Sequence, residues 1–333
     1  MRTAWICVWA LAACWGAAAC SEGGENAAKK RIFSPEDPPK VVASALEVLP
    51  VDKLDQSPWA AQRVLSMGAA ETTERIGPHL FKASTQFKWT ASSKSVELSE
   101  SRSLISGPGG VNGDFHGQIE NSEDQGLEVV RVGGTVYARN RYGKFRQRHR
   151  DRGMAERERE EIFAALRSYD ALFRGRLTLT SGGATTYQRR AAYRYGITLA
   201  KEEHRGSEST PNPPLPLPKG GMDPSTIRRS TFWEGRQPKS VKGEVTVDQK
   251  TGVVLHARLE GRLVVPGRGN PEADLQLALE CGLSNVGVNP AVQPPHDFLP
   301  DVDKPLGIAA ALDRFGIRRG GRDGGTEEDE EER

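Results

Sequence analysis

The stretch from Gly126 to Arg146, GLEVVRVGGTVYARNRYGKFR, constrains the fold of this chain more than any other. Two runs rich in Val, Leu, Tyr and Arg flank Gly133-Gly134, and in both the side-chain character changes at every second residue. A period of two sends successive side chains to opposite faces of a strand and does not fit the face of a helix. A Gly-Gly link joins two such runs through a primed turn, whose positive φ angles glycine adopts without steric cost. Leu127, Val129 and Arg131 therefore point one way, and Val130 and Val132 the other. Across the turn, Val136 and Ala138 oppose Thr135, Tyr137 and Arg139. The pattern predicts an antiparallel hairpin.

The same period recurs along the chain. Phe81, Ala83, Phe87 and Trp89 alternate with Lys82, Ser84, Gln86 and Lys88, and Phe115, Gly117 and Ile119 share one side of the run from Asp114 to Glu120. Ser95 to Ile105 alternates more weakly. Leu177 to Tyr195 has strand character, with Ser181-Gly182-Gly183 read as its turn. A second clear hairpin runs from Gly243 through Asp248–Gly252 into Val253–Val265, where the odd-numbered residues are apolar or Gly and several even-numbered ones are charged or His. Leu275 to Leu283 alternates again. Helical spacing is confined to a few places. Ser57 to Ile76 has Ser57 as N-cap, Pro58 at the first position and Trp59, Val64 and Leu65 on the buried side. Asp151 to Arg174 spaces Ile162, Leu166, Tyr169 and Phe173 along one face, with Gly175 as a C-cap. Lys40 to Leu49, ended by Pro50, and Leu306 to Phe315 are shorter candidates. Roughly eight to eleven sequential strands with one apolar face, plus a few helices, define an α+β chain: a curved antiparallel β-sheet, or half-barrel, with helices packed on its concave apolar face. A β-sandwich is the competing arrangement.

Of 333 residues only 37% are hydrophobic, while Gly and Pro number 36 and 21, so tails and linkers dilute a smaller folded part. The expected layout is a leader at 1–19, a flexible tether at 20–37, one sheet domain at 38–285 with a Pro-rich insert near 203–225, and a Pro-rich, acidic tail at 286–333. The net charge is +2, but Glu327 to Glu332 is wholly acidic, which leaves the middle of the chain moderately basic.

Arg2 is followed by an apolar, charge-free run from Thr3 to Ala19 that ends in small residues before Cys20. This resembles a bacterial lipoprotein signal peptide. The resemblance implies cleavage before a cysteine whose thiol is acylated, with palmitate among the chains attached. Cys20 is the favoured site because it leaves a leader of usual length and opens the polar tether SEGGENAAKK. Cys14, closing Leu11-Ala12-Ala13-Cys14, is the alternative. An ordinary secretory signal remains the simpler reading. Ser21 after the cysteine resembles lipoproteins sent to the outer membrane, so the expected location is the cell envelope, at the periplasmic face of the outer membrane rather than the inner membrane. Cys281 then has no disulfide partner and reads as a buried small hydrophobe on the apolar face of a strand.

The strand motifs carry a second resemblance. Val132-Gly133-Gly134-Thr135-Val136-Tyr137-Ala138-Arg139, followed by Gly143-Lys144-Phe145, and the later Val-x-Val-Asp run from Gly243 to Leu255, are similar to runs in exported lipoproteins of the LolA and LppX/LprG type. That family folds as a half-barrel plugged by helices and holds acyl chains between sheet and helices, without catalysis. Burying about a dozen methylenes at ~0.8 kcal/mol each supplies affinity without specific polar chemistry. The residues expected to line such a cavity are Phe81, Phe87, Trp89, Leu255, Leu259, Leu263 and Leu277. The competing reading makes them an ordinary core. On that reading the protein is an envelope structural or interaction lipoprotein with a protein partner and no ligand cavity.

Arg139, Arg141, Lys144, Arg146, Arg148 and Arg150 place a cation at nearly every second position. This suits contact with anionic headgroups along one strand face, or a solvated edge strand protected by charge. The export signal argues against nucleic acid. Sequence signatures of zinc peptidases, serine hydrolases and phosphate loops are absent, so no enzyme, cofactor or metal is expected. A hydrolase assembled from separated residues, with His256 and Glu260 on one strand face and His116 near them, is the weakest alternative.

Overall fold

The computed structural model describes residues 46–92, 94–148, 153–200, 232–265, 272–288 and 290–301. The leader, both candidate lipidation sites, the tether, most of the Lys40–Leu49 helix, Arg150, the Pro-rich insert, the Leu306–Phe315 helix and the acidic tail lie outside these residues. The chain forms two units, Met1–Glu47 and Val48–Arg333. Of the first, residues 46 and 47 are described and carry no regular structure. The sheet belongs to the second.

Among the described residues, twelve strands join one open sheet. They are β1 His79–Ala91, β2 Lys94–Ser106, β3 Phe115–Asn121, β4 Gly126–Val132, β5 Thr135–Asn140, β6 Phe145–Arg148, β7 Leu177–Tyr187, β8 Arg190–Leu199, β9 Gln237–Asp248, β10 Val254–Val265, β11 Ala273–Ser284 and β12 Phe298–Leu299. From edge to edge the order is β12-β6-β5-β4-β3-β2-β1-β11-β10-β9-β8-β7. Two meanders thus meet in the middle. β1 to β6 step outward, the chain crosses by helices to the far edge, and β7 to β11 step back until β11 pairs antiparallel with β1 from Leu80↔Ser284 to Ala91↔Ala273. All neighbours are antiparallel except β12, which runs parallel to β6. The sheet is single and unclosed, so a β-sandwich is excluded.

The Gly133-Gly134 turn forms as expected, with φ of 56° and 80°. The β7–β8 turn lies elsewhere. β7 continues through Ser181-Gly182-Gly183 with a bulge between Ser181 and Ala184, and the chain reverses at Gln188-Arg189, whose φ values are 47° and 67°. Two non-glycine residues in the left-handed region leave no compositional mark, whereas the glycines of a bulge imitate a turn.

Among the described residues, the helices α1 Pro58–Leu65, α2 Ala69–Ile76, α3 Met154–Phe163 and α4 Ala165–Leu172 cover one face, and residues 232–235 are helical as well. The expected helix from Ser57 to Ile76 is therefore two, broken at Ser66–Gly68, and that from Asp151 to Arg174 is broken at Ala164. Ser57 caps α1 by accepting from the Ala60 amide at 3.4 Å. Val64 and Leu65 are buried, but Trp59 is 50% exposed; five residues of helix place it about 140° round from Val64. Leu46 to Pro50 are not helical.

Beneath the helices the register assembles apolar rows across the sheet. One row contains Ala83, Cys281, Ala257, Val245 and Tyr195, all buried. Leu255, Leu259, Leu263, Leu277 and Leu279 continue the same layer at 3% exposure or less. Ile162, Tyr169 and Phe173 press on it from the helices. A smaller cluster, Val130, Tyr137 and Phe145, lies on the opposite face and packs with Val292 and Phe298. Residues past 285 therefore take part in the sheet and its packing, because β12 supplies the cover that Tyr137 and Phe145 need.

Candidate functional site

Both helix breaks border one crevice above the apolar layer of the sheet. Side chains fasten the two helix pairs together. The Glu160 carboxylate of α3 accepts from the Ala69 and Ala70 amides at 3.0 and 2.9 Å. It thereby caps α2, whose own N-cap, Gly68, has no side chain to do so. Buried Arg159 donates to Thr73 Oγ1 at 2.9 Å and to the Gly110 carbonyl at 2.7 Å, and burial lowers its pKa. Gln62 of α1 donates to Asp170 of α4 at 3.0 Å, and burial raises the Asp170 pKa. Arg102 of β2 reaches the Glu161 carbonyl at the end of α3 at 2.5 Å.

Between these ties lies an apolar crevice of about 30 Å³, lined by Leu65, Met67, Phe81, Phe163, Leu166 and Leu283 among others, with exposed Arg167 at its rim. That volume holds about one water molecule, against roughly 300 Å³ or more for an ordinary ligand pocket. Cys281 borders the crevice at 5% exposure, and burial pushes its thiol up to about 12, which suits a packed rather than a reactive sulfur.

Of the seven residues expected to line a cavity, Phe81 lines this crevice. Leu255, Leu259, Leu263 and Leu277 are buried in the continuous core. Phe87 and Trp89 are partly buried toward the other end of the apolar face, paired with Leu98 and Val96 of β2, which are 37% and 50% exposed. Phe232 approaches Trp89 at 6.4 Å between ring centroids. Arg236 secures that segment to α4, donating to the Leu172 and Ala171 carbonyls at 2.9 Å. Met67, Phe163 and Arg167 were not foreseen as site residues. Met67 and Phe163 adjoin helix breaks and Arg167 lies in the first turn after one, and a break was not read from the periodicity.

The cationic stretch divides between two faces. Register pairs Ala138 with Arg146, so Arg146 and Arg148 share the helix-bearing face with Val136 and Ala138. Arg139 is on the other face with Tyr137. The hairpin between β5 and β6 shifts the cations from odd to even positions, so they do not line one face. Arg139 pairs with Glu128 at 2.6 Å and lies over Phe145, and Arg141 pairs with Asp124 at 3.4 Å. Lys144 pairs with Asp297 at 3.5 Å. Arg146 and Arg148 are exposed.

His116 is 2.7 Å from Glu128, whose pKa is lowered by hydrogen bonds from His116 and then Arg139. His256 stands 3.5 Å from Glu280 and stacks on Tyr187, while Glu260 pairs with Lys242 at 2.8 Å. His116, His256 and Glu260 thus have separate partners. Among the described residues there is no group of three His, Cys, Asp or Glu able to hold a metal, and no helix is long and apolar enough to cross a membrane.

Fold and site together define the class: an open, curved antiparallel sheet whose apolar face is roofed by two pairs of short helices. No family model matches the sequence, and neither does any curated protein. Among solved structures the chain is similar to LprF from Mycobacterium bovis, at 13% identity and a TM-score of 0.29, covering 71% of this chain and 96% of that one. It is similar to the lipoprotein LppX of Mycobacterium tuberculosis at 10% identity and a TM-score of 0.25, covering 70% and 97%. It is also similar to the Pseudomonas aeruginosa MucA/MucB complex at 11% identity and a TM-score of 0.23, covering 68% of this chain and 59% of that one. The fold itself is defined by the strand order and register given above.

Proposed function

We propose that this chain is an exported, lipid-anchored, non-catalytic protein of the cell envelope that takes an acyl chain between its sheet and its helices. One observation carries the reading: both helix pairs break over the same apolar floor, and the crevice between the breaks has an exposed cation, Arg167, at its rim. An acyl chain entering there separates the helices from the floor formed by Phe81, Cys281 and Leu283, and Arg167 meets its anionic end. About a dozen methylenes at ~0.8 kcal/mol each offset the lost helix packing. The anchor at Cys20, or at Cys14, places the sheet domain at the membrane, with the periplasmic face of the outer membrane as the favoured site.

Native mass spectrometry of the protein from a bacterial host, with lipid extraction, tests the cargo. Reproducible acyl lipid on the wild type, reduced in Arg167→Glu, is the expected result. A clean apo mass without fluorescent fatty-acid binding ends the carrier reading. Labelling with radioactive palmitate tests the anchor: Cys20→Ala abolishes incorporation and Cys14→Ala does not. If neither change removes the label, or no label enters, the chain is not a lipoprotein.

The second reading, an envelope interaction lipoprotein with a protein partner and no cargo, is favoured by the volume of the crevice. At about 30 Å³ the crevice has room for about one water molecule. An apo mass together with palmitate incorporation selects it.

A further inference from the structure

The face of the sheet turned away from the helices carries a polar furrow along β1 and β11. Two stretches of about 720 and 630 Å³ lie end to end on it. Their floor is made of alternate residues of the paired central strands, among them Lys82, Ser84, Gln86 and Glu280. At one end the β7–β8 tip folds over the sheet, Gln188 donating to the Leu283 carbonyl at 3.2 Å, and Tyr187 stacks on His256 with centroids 5.7 Å apart. Gly282 keeps the floor low beneath that pair: a Cβ there would stand 3.2 Å from the His256 ring and 3.4 Å from the Tyr187 hydroxyl.

We propose that this furrow binds an uncharged oligosaccharide. The site is independent of the acyl crevice, which lies on the opposite face. Three features select the ligand class. The floor strands are hydrogen-bonded on both sides, so no free backbone edge exists to which a peptide could add as a strand. Lysines and arginine on the floor (Lys82, Lys88, Lys242, Arg262) are matched by carboxylates there (Glu97, Glu120, Glu260, Glu280), with Lys88–Glu97 at 2.7 Å and Lys242–Glu260 at 2.8 Å directly paired, and this balance disfavours a polyanion. Gln86 shares the row of Lys242 and Glu260, and Ser84, Ser101 and Ser103 follow in the next rows toward the Tyr187 end; their side chains make no hydrogen bond among the described residues. These hydroxyls and amides donate and accept, as sugar hydroxyls require. The Tyr187–His256 pair adds an aromatic surface at one end.

The test is an array of uncharged oligosaccharides of glucose, mannose, galactose and N-acetylglucosamine, with a heparin tetrasaccharide as the charged control, probed with the full chain. Binders are then titrated by calorimetry. Saturable binding of at least one uncharged oligomer is expected, weakened at least tenfold by Ser84→Arg and by Tyr187→Ala, with fatty-acid binding unchanged in both and the melting temperature unchanged in Ser84→Arg. No uncharged binder, binding of heparin alone, or full affinity in Ser84→Arg overturns the proposal. Because fatty-acid binding is read on the same samples, failure of the furrow and failure of the crevice are distinguished.

Discussion

Gly261 and Gly117 set how closely the helices approach the sheet. A Cβ at Gly261 would lie 2.3 Å from Phe173 Cζ and 2.4 Å from Tyr169 Oη, two buried rings stacked at 4.9 Å with no room to withdraw. At Gly117 the nearest atom is Ile162 Cδ1 at 2.6 Å, the tip of a flexible side chain. Gly261→Ala is therefore expected to cost about 1–3 kcal/mol through overpacking, and Gly117→Ala clearly less. Urea unfolding measures both, and equal losses would show that the ring contact is not limiting. The alternation placed both glycines on the dry face; what stands above them depends on residues far away in the chain. His79 gives a pH dependence. It is fully buried, and burial lowers its pKa from 6.5 to about 4, against a hydrogen bond to the Gly77 carbonyl and with the help of Arg159. The unfolded imidazole takes up a proton below pH 6.5 and the folded one only near 4, so stability is full at neutral pH and falls as pH drops through that window, by up to about 3 kcal/mol. His79→Gln should flatten the slope of unfolding free energy between pH 7 and 4.5. An unchanged slope would assign it to other groups.

At the scale of elements, α2 depends on α3 for its N-terminus. Gly68 has ordinary φ of −87°, yet a Cβ there would stand 2.5 Å from Glu160 Oε2. Gly68→Ala displaces the carboxylate that caps Ala69 and Ala70, and Glu160→Ala removes it. Each should cost about 1–2 kcal/mol and the double variant little more than either, since both remove one interaction. Full additivity in unfolding experiments would mean that the carboxylate does not cap α2. This is why two helices stand where continuous periodicity suggested one. Ser57, Val64 and Leu65 were legible as cap and core, but the break at Gly68 is maintained by a glutamate about ninety residues later in the sequence. Trp59 is exposed because α1 buries the side bearing Ala60, Ala61, Val64 and Leu65, and Trp59 stands about 140° round from Val64.

At the scale of the whole molecule, the two meanders are joined into one open sheet by one pairing, β1 with β11, between residues about two hundred positions apart. Such non-local pairing delays folding, because loop-closure entropy is lost before contacts form. Ending the chain after Val265 removes β11 and β12, exposes the edges of β1 and β10 and uncovers Phe81, Ala83, Leu259 and Leu263, and also Tyr137 and Phe145. That chain is expected to be insoluble or to lack near-UV circular dichroism; cooperative unfolding from a soluble state would show that the two meanders fold separately. The long strands, their faces and the apolar floor were determined by the sequence itself, since a period of two is a property of local backbone geometry and any pairing partner preserves it; the two-residue β12 carries no such period. The strand order, the turn at Gln188-Arg189, the division of the cations between two faces, the helix breaks and the small crevice beneath them were decided by the tertiary structure. Each depends on which distant residue arrives opposite, and neither spacing nor composition along the chain carries that information.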